Sequence, residues 1–403
     1  MATSFEIPAS ELKDTLSRLS QTVGNEQQYN NDCLYMEQQV SGSVKFATTN
    51  VSEYTVIENV ITNGNMPGNT FIYPLVNFKR FKSIIDTFDD NVDVEISDKG
   101  NNSLNINPLA AGSPISLNAK FDSFLPVPIP SNAVPEEIDV DNSILCSIAT
   151  GAGTIVHSKE STIDACVNIQ TDKSGIKAVA FDKDNGRVYY YQNPYNAFNN
   201  ANVVIEVDKL SRIMKTFKND ATINIKVYNN VTLFEGSRNI TNNNSNYIVS
   251  SQYYSMQLNN TFPTALTSLF GNLSQIEWAE IESDKMKDSL SRAIAIEDSQ
   301  IATESINICV NKDDFVISKN SQFGDLKDVI KSSTIVNNNL NCNFKPKALL
   351  DIVKSFGTPH LSFGKGIGIG TSATKSDHYI ITDDPSNSCS YYAIVNYQPS
   401  NTP

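Results

Sequence analysis

The chain has 403 residues, 40% of them hydrophobic and 19% charged, with a formal net charge of −13. That composition belongs to a folded protein of two to three domains and excludes a disordered or collagen-like chain. Its six cysteines form no CxxC pair, its three histidines lack partners at metal-site spacing, and no apolar run reaches membrane-span length. The cysteines read as small buried residues of a reducing compartment. The opening MATSFEIPASELKD has neither a basic start nor an apolar core, so no secretory signal is expected and the location is read as cytoplasmic.

A strand at SFEIP opens the chain, followed by a helix at 10–22. Ser10 is its expected N-cap, Leu12, Leu16, Leu19 and Val23 its apolar stripe, and Lys13 and Arg18 lie off the stripe. Alternating strands follow at CLYMEQQV, SVKFATTN and YTVIENVI, then a short TFIYP. The second helix, NFKRFKSIIDTF, puts Phe78, Phe81, Ile85 and Phe88 on one face and Lys79, Arg80 and Lys82 off it. Asp89-Asp90 marks a turn before strands at 92–96, 104–106 and 115–119. A Pro-rich stretch, PVPIPSNAVPEE, resists both helix and central strand and places the first boundary near 130–136.

The same order then recurs. A strand at EIDV leads to a helix at 142–150 carrying Ile144, Leu145 and Ile148. Strands follow at STIDACVNIQ, GIKAVAFD, GRVYYYQ and NVVIEV. The next helix, VDKLSRIMKTFKND, has Asp208 as its expected N-cap and Leu210, Ile213, Met214 and Phe217 on one face. Lys209, Arg212, Lys215 and Lys218 fall off that face; Asn219-Asp220 reads as a turn, and Ile223, Ile225 and Val227 alternate after it. The third repeat starts at IEWAEIES with a helix at 284–296 bearing Met286, Leu290, Ala293 and Ile294, with Lys285, Lys287 and Arg292 off the stripe. Separate strands are expected at SINICVN, DDFVISKN, VIKSSTIV and LNCNF. The last helix, PKALLDIVKSF, buries Leu349, Leu350, Val353 and Phe356 and carries Lys345, Lys347 and Lys354 nearby. Strands at HLSFG, KGIGIGTS, HYIITDD and SYYAIVNY close the chain. Strand, helix, strands, helix, strands thus occurs three times at a spacing of roughly 130–140 residues, a whole-domain repeat of α+β type. The domains are placed at 1–132, 133–272 and 273–403.

No catalytic constellation stands out. GKGIGIG at 364–370 lacks the GxxxxGK[ST] pattern of a phosphate loop, and no GxSxG or HExxH occurs. Asp89-Asp90 and Asp383-Asp384 sit at turn signals, where Asp is favoured for backbone reasons. No catalytic residue, metal or cofactor is expected. The cations carry more information: about half of the 31 Lys and Arg lie in or beside five of the six expected helices. For any one helix this is most simply a solvated face. Its recurrence in an acidic chain fits a protein that holds nucleic acid by phosphate contacts while the rest of its surface repels it.

These features resemble the bacterial-type beta sliding clamp, the DNA polymerase III beta subunit family, over essentially the whole chain. GIKAVAFDKDNGRVYYY, LSRAIAI, QFGDLKDVI, CNFKPKALLDIVKSF and SYYAIVNY are similar to that family's strand pair, helices, loop and closing strand. The weak overall similarity and Asn-rich composition fit a divergent, phage-encoded clamp acting in a bacterial host's cytoplasm.

The resemblance implies three clamp domains, each with two helices on antiparallel sheet, closing as a head-to-tail homodimeric ring around double-stranded DNA. It implies a processivity factor without catalytic activity that tethers a DNA polymerase and meets a clamp loader through short peptides, with no membrane partner. Helix width supports the dimer: six helices of ~10 Å leave a hole of about 9 Å, whereas twelve leave about 28 Å, enough for a duplex. The DNA-facing set is then Lys13, Arg18, Lys79, Arg80, Lys82, Lys209, Arg212, Lys215, Lys287, Arg292 and Lys347. The family's partner-peptide cleft maps to Arg187, Val188, Pro263, Ile394, Val395 and Tyr397; the plainer alternative is that the last five are ordinary core residues. The dimer interface maps to Ile115 and Leu117 on one copy against Ala295 and Ile296 on the other. An extra Asp184-Asn185 and the tail at 398–403 depart from the family pattern around the cleft. The competing expectation is a β-rich structural protein, of a virion or cell surface, that encircles no DNA.

Overall fold

The computed structural model describes residues 3–24, 30–50, 52–60, 64–65, 67–109, 112–124, 134–157, 162–194, 199–229, 231–242, 245–256, 262–297, 305–366 and 378–395. Most of the Pro-rich linker, the second half of GKGIGIG, Tyr397 and the tail lie outside them.

The first repeat runs β1 (Ser4–Pro8), α1 (Ala9–Leu19), β2 (Cys33–Gln38), β3 (Ser43–Thr49), β4 (Glu53–Val60), β5 (Gly64–Asn65), β6 (Phe71–Ile72), β7 (Leu75–Asn77), α2 (Phe78–Ile85), β8 (Asp93–Gly100), β9 (Ser103–Pro108) and β10 (Ile115–Lys120). The second runs β11 (Glu136–Asp141), α3 (Asn142–Ile155), β12 (Cys166–Asp172), β13 (Gly175–Asp182), β14 (Arg187–Asn193), β15 (Ala201–Glu206), α4 (Val207–Thr216), β16 (Thr222–Val227), β17 (Val231–Asn242) and β18 (Ser245–Met256). The third runs β19 (Trp278–Glu282), α5 (Ser283–Ala295), β20 (Ile306–Ser321), β21 (Gly324–Phe344), α6 (Pro346–Ser355), β22 (His360–Lys365), β23 (His378–Thr382) and β24 (Ser390–Val395). The threefold order read from the sequence is present.

The helices begin where local chemistry favours it, with two adjustments. The Asn77 side chain caps α2 by accepting from the Arg80 N–H at 3.1 Å. Pro346 occupies the first turn of α6, where its missing donor costs nothing. Ser10 does not cap α1, which starts one residue earlier behind Pro8. Asp208 lies inside the first turn of α4 rather than before it. Helix α3 runs past its expected end, through Gly151. There the Tyr189 ring packs so closely that an added Cβ would sit 2.2 Å from it, so the glycine serves helix packing and does not stop the helix. In the third repeat the expected short strands fuse into the single hairpin β20–β21. A register shift around Lys312, whose φ is 57°, takes the place of an expected break.

Two compact units organise the described residues: Met1–Cys146 with Lys209–Gln257, and Ser147–Asp208 with Leu258–Pro403. The first unit holds a 14-stranded antiparallel sheet in the order β11-β16-β17-β18-β4-β3-β2-β7-β10-β9-β8-β1-β5, with β6 beside β2. Repeats one and two meet within it by main-chain pairing of β18 with β4, where Tyr254 stands opposite Tyr54. The apolar stripes of α1 (Leu12, Leu16, Leu19) and α2 (Phe78, Phe81, Ile85) pack with Phe5, Phe46 and Tyr73 in one core. Each such side chain contributes roughly 1.5–3 kcal/mol on burial.

The second unit holds an eight-stranded sheet, β15-β12-β13-β14-β24-β23-β22-β19, beside the β20–β21 hairpin. Repeats two and three meet here through β14 and β24, with Tyr189 opposite Tyr392. Phe315, Phe344, Phe363 and Tyr379 form a buried aromatic cluster between the hairpin and the sheet.

Candidate nucleic-acid interface and partner site

The helix cations separate into three groups. Lys79, Arg80, Lys215 and Lys347 are exposed. Arg80, Lys215 and Lys347 make no ion pair among the described residues.

A second group is paired locally and is reachable. Lys82 meets Asp86 at 2.7 Å, Lys287 meets Asp284 at 3.4 Å, and Arg292 meets Asp328 at 2.8 Å. Lys13 donates to Asp90 at 2.7 Å and to the Phe88 carbonyl at 2.5 Å. Such surface pairs are worth about 0–1 kcal/mol, so a phosphate could displace the carboxylates.

The third group corrects the expectation. Arg18 is 4% exposed. Its Nε donates to the Thr216 carbonyl, and Nη2 reaches Ser251 Oγ at 2.5 Å and Asp220 at 3.3 Å. Arg238 pairs with Asp14 beside it. Arg212 binds both oxygens of Glu53 at 2.9 Å, and Lys209 is buried. Periodicity places these side chains off their own helix's apolar stripe. It cannot show that Arg18 ends against the C-terminal end of α4, or that the partly exposed Arg212 is committed to Glu53. Asp220, expected only as a turn residue, is 3% exposed, and burial pushes its carboxyl above the ordinary value against the pull of Arg18. These ion pairs join repeat one to repeat two.

The expected cleft residues divide across the β13–β14–β24–β23 sheet. Alternation puts Val188 and Val395 on one face and Arg187 and Ile394 on the other. The Val188 face is apolar: Phe181, Tyr190, Ile380, Tyr391 and Ala393 share it, and Phe262, Leu266, Leu269 and Phe270 cover it from the segment that follows repeat two. Phe270 stacks on Tyr190 with centroids 4.8 Å apart, and Phe262 meets Phe181 edge to face. His378 Nε2 lies 3.2 Å from the Leu269 carbonyl oxygen and ties that segment to the sheet. Pro263 is exposed beside Phe262. The covering residues are absent from the expected set, although TALTSLF carries the signal, with Leu266, Leu269 and Phe270 at i, i+3 and i+4.

Arg187 and Ile394, at 1% and 2% exposed, do not line that face. Arg187 donates to Asp182 from Nε at 3.1 Å and Nη2 at 2.6 Å, to the Ile155 carbonyl at 3.0 Å and to the Ala348 carbonyl at 3.4 Å. Burial opposes ionisation of Asp182, but hydrogen bonds from Asn185 and Arg187 outweigh it and hold the carboxyl below its ordinary value. The extra Asp184-Asn185 closes the hairpin onto the same carboxylate: both backbone N–H groups donate to Asp182, as does Asn185 Nδ2 at 2.7 Å. Gly186 follows at φ 61°, and its carbonyl accepts from the Val395 N–H at 2.9 Å.

Of the expected dimer residues one is exposed and three are half-buried, Leu117 packing in part against the core of the first unit. Ile115 and Leu117 are half-buried on β10, which pairs with β9 along one edge and with β7 only at Ala119 and Lys120. Ala295 is exposed at the end of α5, and Ile296 follows it half-buried.

The sequence matches no family model and no curated protein. Solved structures do match. The beta subunit of DNA polymerase of Streptococcus pyogenes superposes with a TM-score of 0.78 at 15% identity, covering 98% of this chain and 100% of that one. The DNA polymerase sliding clamp of Bacillus subtilis gives 0.76 at 16% identity, covering 99% and 100%. The chain has the fold of a bacterial sliding clamp. A DnaN sliding clamp of Pseudomonas aeruginosa bound to griselimycin shares that fold at a TM-score of 0.76 and 12% identity, covering 99% of this chain and 100% of that one. The three-repeat clamp architecture expected from the sequence is therefore present over the full length. No group of His, Cys, Asp and Glu among the described residues could hold a metal, and no described helix is long and apolar enough to cross a membrane.

Proposed function

We propose that this protein is a DNA sliding clamp: a non-catalytic processivity factor that encircles duplex DNA as a head-to-tail homodimer and tethers a DNA polymerase. The observation that carries this reading is full-length clamp architecture joined to cations on five of the six α-helices among the described residues. Arg80, Lys215 and Lys347 would meet phosphates directly, with Lys13, Lys79, Lys82, Lys287 and Arg292 exchanging the partners they hold within the chain for phosphate. Such contacts suit sequence-independent holding, since phosphate carries no base identity.

The open edge of β10, with Ile115 and Leu117, would meet Ala295 and Ile296 of a second copy. That contact is heterologous and closes after two copies. The apolar face around Val188, Val395 and Pro263 would take the peptides of the polymerase and the loader, with its half-buried Leu266 and Leu269 as the accessible anchors. The test is topological. Loaded protein should stay on closed circular DNA and run off after linearisation, and equal retention on both would refute encirclement. A structural protein without DNA encirclement would show no retention on either.

A further inference from the structure

The resemblance places Arg187 among residues that touch a partner peptide; the structure turns it away. We propose that Arg187 is a positioning residue for the partner site, setting the place of Val188 and Val395 from the opposite side of the sheet. This rests on the partner-site reading above.

Three observations support it. First, the Arg187 side chain is 1% exposed, so it reaches no peptide. Second, its donors span three elements. They hold Asp182 in the β13–β14 hairpin, the Ile155 carbonyl at the end of α3, and the Ala348 carbonyl in α6. Asp351, also in α6, lies 3.8 Å from Nη1. A planar guanidinium suits this task because its donors point in fixed directions. Third, its two neighbours in sequence set the partner face. Gly186 accepts from the Val395 N–H, and a Cβ there would press on the Val395 side chain at 3.2 Å. Val188 stands on the apolar face opposite Phe181 and Ala393. One buried side chain therefore joins two helix carbonyls of different repeats to the register of the strand that carries the partner site.

The experiment uses the full-length dimer and a fluorescent pentapeptide with Leu and Phe anchors, read by anisotropy. Arg187→Met should weaken binding about tenfold, within the range for residues that act without touching the ligand. Arg187→Lys, which keeps the charge and loses the fork, should fall between the two. Combining Arg187→Met with Leu266→Ala should give a loss smaller than the product of the single losses, because both act on one surface. If Arg187→Met does not fold, Asp182→Asn, which removes the carboxylate that aims the guanidinium, should weaken binding in its place. Full peptide affinity in a folded but thermally weakened variant would overturn the positioning role and leave the partner site standing. A wild-type dimer that does not bind the peptide would overturn the partner site and this role together.

Discussion

Arg212 donates from one guanidinium nitrogen to both carboxylate oxygens of Glu53, each at 2.9 Å, and Glu53 is 1% exposed. Tyr253 OH donates to the same carboxylate. A buried carboxylate stripped of its cation is costly, so Arg212→Ala should destabilise the first unit by about 3 kcal/mol, read by urea unfolding. A variant as stable as wild type would mean that Arg212 is free for DNA after all.

The salt dependence of DNA binding separates exposed from buried cations. Replacing Arg80, Lys215 and Lys347 by Ala should lower the slope of log affinity against log salt by about 0.9 for each phosphate no longer neutralised. Arg18→Ala should leave the slope unchanged and lower stability instead, since it removes a buried partner of Asp220. A slope that falls with Arg18→Ala would return that residue to the DNA-facing set.

Ile115→Lys with Leu117→Lys should convert the dimer to monomers in sedimentation analysis, because two cations would be buried against a second copy without partners. Both side chains are only half-buried in the chain itself, so the monomer should stay folded. An unchanged dimer mass would remove this edge from the interface.

Leu266→Asp should abolish polymerase stimulation while dimer mass and retention on circular DNA persist. Leu266 is half-buried on the apolar face and not within its fully buried layer. A charge there should therefore spare the fold and block an apolar anchor. Stimulation that survives would place the partner site elsewhere.

Acid should weaken the two units differently. The Asp182 carboxyl titrates below its ordinary 3.8 in the folded chain, so its stabilising effect is present above that pH and is lost as pH falls toward the folded value. Asp220 is raised above 3.8, so its protonation favours the folded state and stability gains as pH drops through that window. Thermal unfolding between pH 5 and pH 2 should show Asp182→Asn with a shallower acid loss than wild type, and Asp220→Asn with a steeper one.

Most of the fold is legible in the sequence because it is local. Phe78, Phe81 and Ile85 recur at helical spacing, Ile223, Ile225 and Val227 alternate, and the order repeats three times. What escapes is what depends on a second element. Nothing in ASELKDTLSRL reveals that Arg18 ends under Thr216 and Ser251, nearly 200 and more than 230 residues away. Arg187 and Val188 alternate within the expected strand GRVYYYQ, but which of the two faces α3 and α6 cover depends on those helices. The β20–β21 hairpin reads as several short strands because its ladder is irregular: Val310 pairs with Leu340, Lys312 with Val336 and Asp314 with Lys331, so β21 carries the extra residues, at 332–335 and 337–339.

The main-chain ladders β18–β4 and β14–β24 mean that the middle repeat gives its neighbours a strand on each side. Excised alone, it would carry two newly bared edges besides those of β11 and β15, one of them on a strand twelve residues long, and should self-associate in solution. Each repeat border is thus sealed by main chain as well as by side chains, so cutting the chain between repeats would break a sheet and not only a surface contact.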